Sequence, residues 1–375
     1  MFSRFFSIFL LLLGLVSCSS EQEMLPTIRV GYAPHDHHAA LYVAAQLPAY
    51  FRQHGGLYLE EIKFKQHYRL IDQGKPIAEV KLHVSTGGGQ LIRKLSEKQL
   101  DLALGGVPAM IRQIDLGSRL KIVAPLMSDG AALVMAKPLE LSDWPTFVEL
   151  VKKSERPLRI GYKIDYSVQQ LIFEQALTAE RISFARSSQA DADAQLLTYN
   201  LHGPQNLIPA VKNGLIDGFV IMQPFVALAE EQQVGTAVAQ LAEMPPEGKW
   251  AGQPCCAVGA NGPMLSRQRD VLGKMVALLL KANGYLQSHK DEGAQLVSNW
   301  LGKPYEVEKR SLPTINFLVD YPAEWHRGIS FWLDALRQDG HLQGDVHSAA
   351  QKGEIDALLY DMAVYRQARK LADEQ

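Results

Sequence analysis

Two stretches of the chain decide its fold: residues 98–110 read KQLDLALGGVPAM, and residues 214–226 read GLIDGFVIMQPFV. In each stretch an aliphatic residue and an aspartate, Asp101 or Asp217, open a short apolar run, and a proline follows seven residues after the aspartate. Proline is favoured in the first turn of a helix, so each stretch predicts a strand that leads directly into a helix. Two such units predict two similar lobes that present strand ends and helix starts to a shared cleft.

Strand and helix patterns alternate on both sides of these stretches. Apolar alternation and turn residues predict strands at 27–33, 58–67, 79–84, 101–104, 120–125, 158–162, 195–199 and 216–221, with helical patterns between them. Such alternation is typical of an α/β chain with parallel sheets covered by helices on both faces. From about Ser266 onward the pattern is largely helical.

The first 17 residues have the features of an export signal. Arg4 precedes an apolar run that ends at Val16, which is shorter than the ~20 residues needed to span a bilayer. The run leads into Ser17-Cys18, which resembles a bacterial lipobox. We therefore expect a lipoprotein signal peptide at 1–17, a polar tether at 18–26 and lipidation of Cys18. The body would then be exported and lipid-anchored to a bacterial membrane, facing the periplasm or the cell exterior.

Composition excludes several classes of protein. The 375 residues are long for one hydrophobic core, and 47% hydrophobic with 21% charged residues is ordinary for a globular protein. The formal charge of -2 comes from interspersed signs with no basic stripe, so we expect no nucleic-acid partner. Beside Cys18 there are only two cysteines, Cys255 and Cys256, which excludes a disulfide scaffold. No catalytic or nucleotide-binding motif stands out, so we predict no enzyme activity and no cofactor.

Four segments resemble one known family. They are IRVGYAPHDHHAALYVAAQLPAYF at 28–51, KQLDLALGGVPAMI from 98, GLIDGFVIMQPF from 214, and GQPCCAVGANGPMLSRQRDVLGKMVALLLKA at 252–282. Together they resemble the type II periplasmic-binding-protein fold, in the branch that serves ABC importers of nitrate, sulfonates, taurine and thiamine precursors. The likeness covers about 27–290.

The resemblance implies an architecture and a role. Each lobe is expected to hold a mostly parallel sheet flanked by helices, with two crossovers and a helical C-terminal tail. Lobe 1 would comprise 27–126 plus 246–375, and lobe 2 would comprise 127–245. The lobes would close by a hinge on a small anionic or heteroaromatic compound and deliver it to an ABC permease and ATPase complex.

Candidate ligand contacts lie where strands give way to helices. Helix starts offer free N–H groups to an anion, and consecutive glycines let the backbone approach a ligand closely. The resemblance places family contacts in several of these loops. We predict ligand contacts at His35, Asp36, His37, His38, Thr86, Gly87, Gly88, Gly106, Val107, Asp165, Tyr166, Ser167, Gln223 and Cys255.

Two further hypotheses stay open. Neutral imidazoles with Asp36 and a cysteine would suit a metal or metal chelate, or an enzyme that uses the loop from His35 to His38. His37 and His38 should diverge, so at most one of them is expected to be a partner for His35. Adjacent residues of a strand point to opposite faces, so we expect only one of the two cysteines to face the cleft. A ligand-sensing lipoprotein would share the same fold.

Overall fold

The structure is a computed structural model that describes residues 24–85, 87–187 and 193–374. The predicted signal peptide, Cys18 and Thr86 lie outside the described residues. The strands are β1 Thr27–Tyr32, β2 Leu57–Lys63, β3 His67–Asp72, β4 Lys75–Val84, β5 Leu102–Gly106, β6 Lys121–Asp129, β7 Ala131–Ala136, β8 Leu158–Tyr162, β9 Phe184–Arg186, β10 Leu196–Asn200, β11 Gly218–Met222, β12 Gly235–Gln240, β13 Pro254–Ala260 and β14 Ile315–Phe317.

Helices cover both sheets and dominate the C-terminal third. They are α1 Ala39–Gln46, α2 Pro48–Gln53, α3 Gly88–Ser96, α4 Val107–Asp115, α5 Trp144–Lys153, α6 Val168–Ala179, α7 Leu207–Lys212, α8 Phe225–Glu231, α9 Gly262–Arg267, α10 Arg269–Ser288, α11 Lys290–Leu301, α12 Tyr305–Ser311, α13 Ala323–Gln338, α14 Asp345–Lys352, α15 Ile355–Leu359 and α16 Met362–Asp373. In the described ranges, no helix is both long and apolar enough to cross a membrane.

The strands form two sheets, which confirms the α/β class with two sheets flanked by helices and a helical C-terminal region. The first sheet has the order β14-β6-β13-β5-β1-β4-β3-β2, and the second has the order β12-β7-β11-β8-β10-β9. The second sheet is mostly parallel, as expected. The first is not, because β1–β4 and β1–β5 are its only parallel pairs of neighbouring strands in the described residues. The hairpin strands β2 and β3 and the returning strand β13 add antiparallel pairs.

The repeated sequence unit corresponds to a repeated contact. The carboxylate of Asp101 accepts the backbone N–H of Arg29 in β1 at 2.8 Å, and that of Asp217 accepts the backbone N–H of Arg159 in β8 at 2.8 Å. A glycine follows each arginine by two residues. A Cβ on that glycine would lie 2.4 Å from the Leu100 side chain in one sheet and 2.7 Å from the Ile216 side chain in the other. The two sheets therefore share one strand–strand unit, which sets the same direction for the loops after β1 and β8.

The chain passes twice between the sheets. The first passage lies between β6 and β7 and consists of Gly130 alone, whose φ of +67° favours glycine. The second runs from β12 to β13. Strands of the first sheet fall within 27–129 and 254–317, and those of the second within 131–240. The limits of the two lobes as rigid units stay a prediction.

The chain has two local breaks near its start. α1 ends at Gln46 and α2 starts at Pro48, because proline is disfavoured in a helix interior and favoured in a first turn. The predicted single strand at 58–67 was wrong, because a turn with Lys65 at a φ of +59° separates β2 from β3. This turn contains no glycine or proline, so no strand-breaking residue marks it in the sequence.

Candidate functional site

A small cavity lies between the two sheets, at the loops that follow β1, β4, β5 and β8. Its volume is about 40 Å³, and one water molecule needs roughly 10–15 Å³ on this scale, so it has room for about three. It is lined by His35, His37, His38, Gly88, Gly89, Gly105, Gly106, Ala109, Lys163, Ile164, Asp165, Tyr166, Ser167, Val168, Gln169, Cys255 and Cys256. The cavity therefore suits a ligand of only a few heavy atoms.

The loop after β1 is held rigidly by buried hydrogen bonds. The hydroxyl of Tyr42 lies 2.9 Å from the carbonyl oxygens of both Ala33 and His35 and accepts the N–H of His35 at 3.2 Å. His38 Nδ1 accepts the backbone N–H of Ala33 at 2.9 Å, which leaves the proton of the neutral ring on Nε2. This Nε2 and the Nδ1 of His35 are buried and have no hydrogen-bond partner. Burial lowers the pKa of His35 and His38 well below the ordinary histidine value, so both rings are neutral.

His35 contacts both of the following histidines, contrary to the expectation that only one would be its partner. Its ring centroid lies 4.3 Å from that of His38 and 5.5 Å from that of His37. The reason is that residues 36–38 form a single 3-10 turn, which is tighter than an α-helix and keeps the rings together.

Three helix N-termini point to the same cavity. α3 starts at Gly88 after Gly87, α4 starts at Val107 after Gly106, and α6 starts at Val168 after Ser167. An ideal Cβ on Gly88 would lie 3.9 Å from the nitrogen of Gly106, so these two loops approach each other closely. Helix N-termini carry partial positive charge and free N–H groups, and three of them together favour an anion.

Lys163, in the loop after β8, contributes an ammonium group to the cavity lining. Burial lowers its pKa from the ordinary lysine value, and its Nζ lies 3.3 Å from Met222 Sδ. The only acidic residue of the lining is Asp165, which is exposed at the rim and accepts the hydroxyl of Tyr162 at 2.7 Å. The cavity floor thus combines one ammonium group with neutral N–H donors.

Both vicinal cysteines line the cavity, although one was expected to face the core. The pairing of β13 with β6 is irregular on both sides of Cys256, and such a bulge turns a side chain away from the regular alternation. As a result, Cys255 Sγ lies 4.0 Å from Cys256 Sγ and 3.4 Å from Nδ1 of His37. The amide of Gln169 lies 3.9 Å from Cys255 Sγ. Both thiols are free and buried.

Asp36 does not line the cavity. The 3-10 turn directs its carboxylate into the interior, where it accepts the hydroxyl of Ser311 and lies beside Glu308 of α12. Burial raises the pKa of Glu308 to about 7, and burial together with the neighbouring Glu308 raises the pKa of Asp36. Because both groups are fully buried, this pair belongs to the contact between the loop and α12.

Three other predicted residues also lie away from the cavity. The side-chain oxygen of Gln223 accepts the backbone N–H of Ala227 in α8, and its amide nitrogen donates to the hydroxyl of Thr314. Val107 is fully buried on the core face of α4. Gly87 caps α3 without lining the cavity. The remaining predicted positions that the structure describes lie in the lining: His35, His37, His38, Gly88, Gly106, Asp165, Tyr166, Ser167 and Cys255.

Sequence reasoning missed Lys163, Gln169 and Cys256. A signal for Lys163 exists in the sequence: RVGY at 29–32 is echoed by RIGY at 159–162, so Lys163 and the following residues match the histidine loop of the other lobe. The approach of Cys256 depends on a strand irregularity that has no sequence signature. Trp250, which precedes β13, is buried and stacks on Trp332 with 6.2 Å between the ring centroids.

Together, the fold and the cavity define a two-lobed α/β protein with a small polar site between its sheets. Residues 21–302 match the model of the NMT1-like family, and the chain belongs to this family. The bicarbonate transport ATP-binding protein CmpC of Synechococcus elongatus is 27% identical over 305 residues, which is 78% of this chain. The matched region is 41% of that relative, so the chain spans less than half of its length.

Solved structures show the same fold at low sequence identity. The periplasmic nitrate-binding protein NrtA of Synechocystis PCC 6803 has a TM-score of 0.70 and 15% identity, covering 93% of this chain and 89% of that chain. A zinc-bound ligand-binding component of an ABC-type import system from Staphylococcus aureus has a TM-score of 0.68 and 15% identity, covering 92% and 99%. At such identities the likeness concerns the fold.

Proposed function

We propose that this chain is the extracytoplasmic solute-binding component of an ABC importer and that it captures a small oxyanion, such as nitrate, bicarbonate or a short sulfonate. The observation that carries the proposal is the cavity lining, in which Lys163 and three helix N-termini surround about 40 Å³. A heteroaromatic ligand fits less well, because a ring with its substituents needs more space than a compact oxyanion and the cavity measures only about 40 Å³.

Neutral imidazoles are well suited to this role. His35 and His38 each have a buried ring nitrogen without a partner, and the tautomer of His38 directs an N–H rather than a lone pair from that atom. An anion would satisfy the His38 donor and offset the burial of Lys163 at the same time. Leaving buried donors unpaired costs about 1–3 kcal/mol each, so an anion that pairs them recovers this free energy.

Hinge closure is part of the proposal, and contacts between elements of the two sheets support it. Arg186, which is in β9, lies 3.1 Å from the carboxylate of Asp339 beyond α13. The guanidinium of Arg112 in α4 lies 4.5 Å from the ring centroid of Tyr166 in the loop before α6. Polar contacts of this kind at the rim can break and re-form as the lobes move, while Gly130 supplies a hinge.

Lipid anchoring through Cys18 and delivery to a permease and ATPase complex complete the proposal. The lipobox-like Ser17-Cys18 supports the anchor, and the similarity to CmpC, which is named as part of bicarbonate transport, supports the import role.

The direct test is Lys163→Met, followed by calorimetric titration with nitrate, bicarbonate and methanesulfonate. We expect the anion bound by the wild-type protein to bind at least roughly tenfold more weakly, since a charge-assisted hydrogen bond is worth about 1.5–3 kcal/mol. Lys212→Met removes an exposed lysine of α7 and is the matched control. Equal anion affinity in both variants would exclude Lys163 from the site and reject an anion held by its charge.

A further inference from the structure

Three side chains of the cavity lining that could ligate a metal lie close together. One ring nitrogen of His37, Cys255 Sγ and Cys256 Sγ all lie within 4.8 Å of one another. Within the described residues, this is the one group of three histidine, cysteine or acidic side chains with that spacing. We propose that His37, Cys255 and Cys256 bind one soft, thiophilic cation of the Zn²⁺ or Cu⁺ class.

The distances agree with a metal centre. Metal–sulfur bonds of about 2.3 Å and metal–nitrogen bonds of about 2.0 Å place tetrahedral ligands about 3.8 Å apart for two sulfurs and about 3.5 Å apart for sulfur and nitrogen. The structure has 4.0 Å between the two sulfurs and 3.4 Å between Cys255 Sγ and His37 Nδ1. These two distances are within a few tenths of an ångström of the coordinated values, and the third, between Cys256 Sγ and a ring nitrogen of His37, is at most 4.8 Å.

His37 is oriented for coordination by a contact on its far side. Its Nε2 lies 3.0 Å from the carbonyl oxygen of Gly130, which can only accept a hydrogen bond. Nε2 therefore carries the proton, and the lone pair of Nδ1 is directed at the sulfurs. Histidine ligands of metals commonly donate their other ring N–H to a carbonyl or carboxylate, which fixes both the tautomer and the ring plane.

The strand irregularity around Cys256 is a second, independent observation. In a regular strand the two thiols would be on opposite faces, and only the bulge in the pairing with β6 lets both reach the cavity. Bulges of this kind often re-aim a side chain beside a functional site. Both thiols are thereby available to one ion.

The two sulfur ligands determine which class of cation the site would bind. Two thiolates with one imidazole suit Zn²⁺ and Cu⁺, while Mg²⁺ and Ca²⁺ prefer oxygen ligands. All three residues line the cavity, so a fourth coordination position opens onto it. The cation site goes beyond the proposed anion capture and does not depend on it, since Lys163 is not among its ligands.

The test measures cation binding by the full chain carrying Cys18→Ala, so that the two cavity thiols are the only ones present. Zn²⁺ affinity is measured by competition with a chromophoric chelator and Cu⁺ affinity by competition with bicinchoninate, both with a phosphine reductant. We expect one cation per chain and a loss of at least roughly a hundredfold in affinity for Cys255→Ser, Cys256→Ser and His37→Gln. His54→Gln, which changes an exposed histidine outside the cavity, should bind as the parent does.

Circular dichroism and thermal unfolding of each variant check the fold, and the near-isosteric Cys→Ser changes keep the test valid if His37→Gln does not fold. Binding of substantially less than one cation per chain, or unchanged affinity in the Cys255→Ser/Cys256→Ser double variant, would overturn the proposal. Lys163→Met should retain cation binding and lose anion binding. If the parent protein binds the cation but no anion, the proposed function is rejected and the metal site stands. If it binds an anion but no cation, the metal site is rejected and the proposed function stands.

Discussion

Gly88 is a residue at which a substitution should change ligand binding without destabilising the fold. An ideal Cβ there meets no atom closer than the Gly106 nitrogen at 3.9 Å, yet it would enter the cavity beside the N-terminus of α4. We predict that Gly88→Ala weakens anion binding by about tenfold, the equivalent of one impaired hydrogen bond to a charged group. Thermal unfolding without ligand should be unchanged or slightly higher, since alanine favours a helix by up to ~1 kcal/mol over glycine.

Gly87→Ala is the matched control for this prediction. Gly87 has open space around its Cβ position, an extended φ of -154° and no place in the cavity lining. Calorimetric titrations of the two variants should therefore differ. If Gly87→Ala weakened anion binding as much as Gly88→Ala does, the effect would come from reduced loop flexibility and not from the added methyl group in the cavity.

At the residue scale, the sequence predicted which loops line the cavity better than it predicted which side chains of those loops point into it. The helix starts at Gly88, Gly106 and Ser167 follow from local glycine and capping signals, and all three line the cavity. Asp36 stands beside two histidines that reach the cavity, but its own direction depends on the 3-10 turn and on Glu308, 272 positions later in the numbering. Contacts at such separation carry no local signal.

At the scale of elements, the aspartate of each repeated unit ties two parallel strands together. Asp217 accepts hydrogen bonds from Arg156 at 2.7 and 2.8 Å and from the backbone of Arg159 at 2.8 Å. Burial opposes ionisation of this carboxyl, but the arginine contacts outweigh it and hold its pKa below the ordinary aspartate value. The charged form is therefore favoured more in the folded than in the unfolded chain.

We predict that Asp217→Asn lowers the free energy of unfolding by about 2 kcal/mol near neutral pH. Because the folded-state pKa is depressed, the contribution of Asp217 is present above pH ~4 and is lost as the pH falls below it. Urea unfolding at about pH 7 and about pH 3 should thus show a smaller acid-induced loss in the variant than in the wild-type protein. Equal losses in the two proteins would show that Asp217 does not contribute through its charge.

The repeated unit was predictable because its signals are local: an aliphatic residue, an aspartate, a short apolar run and a first-turn proline. The antiparallel edge of the first sheet was not, because the turn at Lys65 lacks glycine and proline. The inserted strand β13 pairs with β5, which is about 150 residues earlier in the chain, and that pairing reflects the whole topology.

At the scale of the whole molecule, attachment to a membrane is proposed to depend on one atom, the sulfur of Cys18. We predict that Cys18→Ala moves the protein from the membrane fraction to the soluble exported fraction, because the lipid chains that hold such an anchor are absent. Fractionation with carbonate washing measures this change, and Ser19→Ala is the control. Continued membrane association of Cys18→Ala would rule out the lipobox.

The central claim, capture of a small oxyanion between the lobes, is tested most directly by a thermal-shift screen of the purified protein. The ligands are nitrate, bicarbonate, short sulfonates and an uncharged thiamine-precursor pyrimidine. At a hundredfold excess over Kd, a ligand that binds only the folded state stabilises it by ~2.7 kcal/mol, which raises Tm on the order of 5 °C. The account predicts this rise with at least one small oxyanion and not with the pyrimidine. A rise with the pyrimidine alone, or none with any oxyanion, would contradict it.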